Sequence, residues 1–126
     1  MSIGMMRALF VASGLYDGLL GMVFFLEPHT VFRIAGATPP NHFGYVRFPA
    51  LLLVIFGIMF FRIAANPLAR REQILYGMAL KASYVGLVFW YQFHGGVPMM
   101  WIPCAYADVA FFLLFAWSWK SLPRAA

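Results

Sequence analysis

Residues 8–26 read ALFVASGLYDGLLGMVFFL. This is a run of 19 residues, apolar but for a few small or polar positions, with one charge, Asp17, at its centre. A helix needs roughly 20 mostly apolar residues to cross about 30 Å of hydrocarbon. A signal-peptide core is shorter, about 7–15 residues, and no small-residue cleavage site follows this run directly, so it reads as a retained membrane helix.

Working outward, three further segments have the same character: residues 46–64, 74–93 and 100–119. The composition agrees. Of the 126 residues, 63% are hydrophobic and 10% charged, and mean hydropathy is +0.80. Soluble domains carry about 45–50% apolar and about 25% charged residues. These values exclude a soluble globule, a disordered tail and a secreted disulfide scaffold. The single cysteine, Cys104, lies inside an apolar run and reads as a packed thiol.

The connections are short. Glu27 to Asn41 carries Pro28 where a helix starts, and Gly36 with Pro39-Pro40 where one stops. The amphipathic piece between predicts a short helix lying in the interface. Asn66 to Gln73 is a polar turn, and His94-Gly95-Gly96-Val97-Pro98 a tight Gly/Pro turn. Short links make successive helices antiparallel neighbours. The expected fold is all-α: one transmembrane domain over residues 1–126, an up-down-up-down four-helix bundle with a short interfacial helix between the first and second spans.

Nine Lys and Arg face four Asp and Glu. Arg7, Arg62, Arg70, Arg71, Lys120 and Arg124 fall on one side of such a bundle, Arg33 and Arg47 on the other. Positive residues accumulate on the cytoplasmic side. Both termini and the second connection are therefore expected in the cytoplasm, in a bacterial inner membrane. The basic excess is read as a topology signal and a surface for anionic lipid headgroups, not for nucleic acid. Tyr45, Trp90, Tyr91 and Trp101 near the outer boundary, and Tyr76, Trp117 and Trp119 near the inner one, fit aromatic anchoring.

The strongest chemical signal is charge inside the spans. At about 1.5 Å per residue, Asp17, Lys81 and Asp108 each lie roughly 10–14 Å from the start of their span, near the bilayer centre. Arg47, nearer the outer edge, has a side chain long enough to reach inward. A charge at the bilayer centre costs at least about 2.5–3.5 kcal/mol on insertion scales, so these groups are expected to pair inside the bundle. Two pairings stay open: Lys81 bridges both carboxylates, or Lys81 pairs with Asp17 while Arg47 reaches Asp108. Tyr16, Tyr84 and Tyr106 offer hydroxyls to the same network or to a ligand pocket, and Ser83 one more. The network serves either to set helix register or to bind a ligand or proton.

Other chemistry is thinly represented. His29, His42 and His94 map to the outer side and are weak metal candidates, with no helix spacing and no acidic or thiol ligand beside them. None lies mid-span, which argues against a bound haem. No nucleophilic triad, Walker loop or dinucleotide-binding turn is present, so the pattern leans away from an enzyme and implies no intrinsic cofactor.

The span layout, with Tyr16-Asp17-Gly18-Leu19-Leu20-Gly21, Arg47-Phe48-Pro49-Ala50 and the mid-span Lys81 and Asp108, resembles the small bacterial membrane proteins grouped as DoxX-like. That resemblance implies a four-helix membrane fold and, from some members, an accessory role in membrane redox systems; it implies no catalytic residue. Asp17 also resembles in position the first-span acid of small multidrug resistance transporters. Lys81 as an internal partner and the one-sided charge bias oppose that second likeness.

The function expected from the sequence is a small accessory or assembly subunit of a larger inner-membrane complex, redox systems included. Its partners would be membrane lipids and other membrane subunits or a second copy. The alternative is a binding protein for a quinone-like lipophile, or a small proton-coupled transporter.

Overall fold

Ser2 starts the first helix: its hydroxyl accepts from the Met5 N–H at 3.2 Å, satisfying one of the free donors of the first turn. From there residues 1–124, those described by a computed structural model, form five helices in chain order. They are α1 (Ile3–Leu26), α2 (Pro28–Ala35), α3 (Gly44–Ala65), α4 (Arg71–Phe93) and α5 (Trp101–Ser121). No strand occurs among the described residues. All but α2 are long and apolar enough to cross a membrane. The short α2 opens on Pro28 and ends on Gly36, whose φ of 66° is the left-handed conformation that closes a helix. The architecture is the all-α membrane four-helix bundle expected, with the short helix between the first two spans.

The helices outrun the apolar windows. α1 begins at Ile3 and not near Ala8, and α4 at Arg71 and not at Ile74. Hydropathy reports only the part that suits hydrocarbon, whereas the backbone hydrogen-bond ladder continues into the interface until a cap or a turn ends it.

The bundle consists of two close pairs. α1 packs along α3, and α4 along α5, while α3–α4 and α1–α5 touch more lightly. The order around the bundle is therefore α1, α3, α4, α5, with α1 and α4 across the diagonal. The first pair approaches backbone to backbone. A methyl group on Gly57 would lie 3.0 Å from the Gly14 carbonyl oxygen and 3.0 Å from the Gly18 Cα. One on Gly21 would lie 2.5 Å from the Ala50 carbonyl oxygen. Without a hydrophobic force between helices in lipid, such close packing supplies the dispersion contact that joins them.

Phe10 of α1, Phe60 of α3 and Phe115 of α5 are fully buried and form an aromatic layer across the bundle. The Phe10 and Phe115 rings stack with centroids 4.8 Å apart, and Phe60 meets Phe115 at 5.2 Å. α4 contributes Gly77, where a side chain would come within 2.6 Å of the Phe60 ring. Met6, Ile63 and Ile74 pack in the same core. The outer face is apolar too, with Leu19, Leu87 and Leu113 each about three-fifths exposed; in a bilayer these side chains meet acyl chains.

Both ends are tied by polar contacts. The Met1 amine donates to the Ser121 hydroxyl at 3.1 Å, which puts the start of α1 beside the end of α5. At the other end the Arg47 Nε donates to the Phe25 carbonyl at 3.2 Å, joining the start of α3 to the last turn of α1.

Candidate functional site

Lys81 sits on the inward face of α4, with Gly77 one turn before it and Tyr84 and Val88 after it. Its side chain is 1% exposed and crosses the diagonal of the bundle to α1. The ammonium Nζ donates to Asp17 Oδ1 at 2.9 Å and Oδ2 at 3.0 Å. It also donates to Asp108 Oδ1 on α5 at 3.0 Å. Three N–H groups thus meet three carboxylate oxygens on two helices. An ammonium so engaged has no free donor and no lone pair, and it cannot act as a nucleophile while the arrangement holds.

Aromatic rings enclose what the carboxylates leave open. Nζ lies 5.0 Å from the centroid of Phe111, 5.2 Å from Tyr16 and 5.8 Å from Phe60. A cation within about 6 Å of a ring face is attracted by its quadrupole. The ring electrons therefore partly replace the water that the ammonium has lost. Asp17 is buried with Ser13, Gly14 and Gly21 on one face of α1; Asp108 is buried with Ala105 and Phe115 on one face of α5. Asp108 is the less enclosed carboxylate, with its side chain 10% exposed against 2% for Asp17.

Of the two pairings open from the sequence, the distances match Lys81 bridging both aspartates. The other needs correcting. Arg47 is exposed and does not reach Asp108; its Nε bonds the Phe25 carbonyl. The last carbonyls of α1 have no partner within their own helix and lie at the level of Arg47. Bonding one of them keeps the guanidinium head out of the bundle. Inside the bundle two carboxylates therefore share one ammonium.

The tyrosines separate. Tyr16 stays at the site through its ring, beside Phe111 at 5.4 Å. Tyr84 turns its hydroxyl away, donating to the Trp101 carbonyl at 2.9 Å and stacking on the Trp101 ring. Tyr106 is 64% exposed and meets Phe89 edge-on, so it does not join the site. The Ser83 hydroxyl bonds the Leu80 carbonyl of its own helix.

The histidines do not gather. His29 packs on Phe43, His42 accepts from the Gly44 N–H at 2.9 Å, and His94 stacks on Trp90 with its Nδ1 2.7 Å from the Trp90 carbonyl oxygen. Among the described residues no three His, Cys, Asp or Glu side chains are placed to hold a metal ion.

Two participants were not legible in the sequence as site residues. Phe60 lies on a helix without any charge of the triad, so no spacing links it to Lys81. Ser13, fully buried one turn from Asp17, has a hydroxyl without a hydrogen-bond partner. Four residues from Asp17, Ser13 shares its helix face by spacing alone, whereas its lack of a partner depends on the neighbouring helices.

Two open surface hollows border α1. One, of about 190 Å³, runs between α1 and α3 and is lined by Gly14, Gly18, Met22, Val54, Ile58 and Phe61 among others. The second lies along Leu15, Tyr16, Leu19, Leu20 and Val23. Neither is lined by Asp17, Lys81 or Asp108. Comparison with known protein families, with curated proteins and with solved structures finds no match.

Proposed function

We propose that this protein is a non-catalytic accessory or assembly subunit of a larger complex in a bacterial inner membrane, with both termini cytoplasmic. The observation that supports the reading is the closure of the charged triad. All three N–H groups of its lysine are taken by the two aspartates within a packed bundle, and one Asp108 oxygen alone is left without a bond from it. What the chain offers outward is apolar surface for lipid or for other helices. A buried ion pair of this kind sets helix register and rotation, which is what a rigid building block requires. A redox complex belongs to this proposal through the DoxX-like resemblance.

The test is purification from native membranes in mild detergent, followed by mass spectrometry of what is retained. A subunit is expected to bring a reproducible set of membrane partners in fixed proportion. Recovery only as a single protomer or as a homodimer would count against the proposal.

The second reading is a binder of a quinone-like lipophile, or a proton-coupled transporter. It draws on the hollow along Tyr16 and on the slight exposure of Asp108. A pocket for such a ligand carries a few convergent polar groups among apolar ones. The hollows here are lined almost wholly by apolar groups and stop short of the carboxylates, so the accessory reading is preferred.

A further inference from the structure

The triad joins two carboxyl groups to one ammonium, each aspartate within 3.0 Å of the same nitrogen. With both acids ionised it carries a net negative charge near the bilayer centre, where an unbalanced charge is strongly unfavourable. Two carboxylates in one site also oppose each other's ionisation. The charge therefore calls for a further cation or for a proton.

Among the described residues no further cation reaches the site. Toward the chain termini, Phe10 and Phe115 stand about two turns from Asp17 and Asp108, and with Phe60 they close the core as fully buried rings. Beyond that layer Arg71, the first residue of α4, is held on the Trp119 ring with its Cζ 4.1 Å from the centroid. Toward the other end Arg47 is exposed and bonds the Phe25 carbonyl. The groups near Asp108 are Lys81 and Tyr84 of α4, Asp17 and Tyr16 of α1, and Cys104 one turn earlier on α5. α3 has no titratable side chain between Arg47 and Arg62 and faces the ammonium with the Phe60 ring. Phenols and a thiol bring no positive charge. A metal ion does not fit the donor set, because hard cations take about six or more oxygen ligands and Lys81 already engages three of the four carboxyl oxygens.

The hydrogen bonds single out the oxygen that takes the proton. Lys81 donates to both Asp17 oxygens and to Asp108 Oδ1, so Asp108 Oδ2 alone has no N–H from it. A proton on any of the other three competes with an ammonium hydrogen bond; one on Oδ2 does not. Asp108 is also the more accessible acid, its side chain 10% exposed against 2% for Asp17.

We infer that the triad is a proton-binding site in which Asp108 is a carboxylic acid, protonated on Oδ2, and Asp17 is the carboxylate that pairs with Lys81. The inference rests on the membrane-spanning reading of the helices and is independent of the accessory role. The bound proton makes the site electrically neutral. It is also a group that can leave or return at mid-membrane without breaking a hydrogen bond of the triad.

The experiment is infrared spectroscopy of the full chain in lipid bilayers at neutral pH. The folded protein is expected to show the C=O stretch of an un-ionised carboxyl group. Asp108→Asn should abolish that band. Asp108→Glu should move it, since a glutamic acid then carries the proton, and Asp17→Glu should leave it in place. Circular dichroism checks that each variant is folded. Absence of the band from the wild-type protein would overturn the inference, because both acids would then be ionised. A band that survives Asp108→Asn, or that moves with Asp17→Glu, would place the proton elsewhere and overturn it as well. If the glutamate variants do not fold, thermal unfolding of the asparagine variants decides. Asparagine resembles the protonated acid in shape and charge, so Asp108→Asn should melt close to wild type. Asp17→Asn removes the charged partner of Lys81 and should melt several degrees lower. A loss from Asp108→Asn as large as that from Asp17→Asn would overturn the assignment.

Discussion

Lys81 Nζ touches both carboxylate oxygens of Asp17, at 2.9 and 3.0 Å, across the diagonal of the bundle and 64 residues away in the chain. Asp108 receives only the remaining N–H, through one oxygen. The two aspartates are thus unequal partners of one lysine, and that inequality can be measured.

Lys81→Met strands two carboxylates in the core, and breaking a buried pair in this way typically costs about 3–5 kcal/mol. Combining it with Asp17→Leu should recover more of the loss than combining it with Asp108→Leu. The first double variant leaves Asp108, whose side chain has some exposure; the second leaves Asp17, which has almost none. Chemical unfolding in detergent and expression level report the order. A reversed order, or a harmless Lys81→Met, would show that the triad does not hold the bundle together as described.

Arg47 should behave as a separate contact. Losing its bond to the Phe25 carbonyl, at an exposed position, should cost about 0.5–1.5 kcal/mol. Arg47→Gln and Asp108→Asn should therefore add within about 0.3–0.5 kcal/mol, as independent sites do. A larger coupling in the double-mutant cycle would restore the pairing that the geometry excludes.

Gly57→Ala presses a methyl group against the Gly14 carbonyl and the Gly18 Cα, both 3.0 Å from its position. Overpacking of this kind costs about 1–3 kcal/mol. Gly86→Ala, on α4, meets nothing within 4 Å and should be neutral or slightly stabilising. Thermal denaturation of the two variants in the same detergent compares them directly.

Phe115→Ala removes the ring that stacks on Phe10 and meets Phe60, and should destabilise by about 3–5 kcal/mol. Leu113→Ala, two residues earlier and 62% exposed, should cost far less. Similar losses from both would mean that α5 is rotated from the orientation described.

Reporter fusions test the membrane path. One placed after Arg124 should report the cytoplasm, and one near Thr38 the opposite side. A C-terminal reporter outside the cytoplasm would reverse the proposed orientation and leave the bundle itself unaffected.

The sequence by itself determined where the spans lie, because crossing hydrocarbon is a local requirement of length and polarity. It also determined that Asp17, Lys81 and Asp108 share a depth, since a fixed rise per residue converts position in a span into distance from its edge. Gly36 and Pro28 marked the short helix for similarly local reasons. What only the tertiary structure decided is how the helices are turned and which of them are neighbours. In lipid each span is apolar on every side, so amphipathicity carries little information about facing. The bridging of two aspartates by Lys81, the withdrawal of Arg47 to an α1 carbonyl, the Phe60 ring over the ammonium and the stacking of Arg71 on Trp119 all depend on that rotation. Close approach at Gly14 and Gly57 positions α1 against α3, and the hydrogen bonds of the triad then hold α4 and α5 to that pair. Both are contacts between residues far apart in the chain, and no local spacing specifies them.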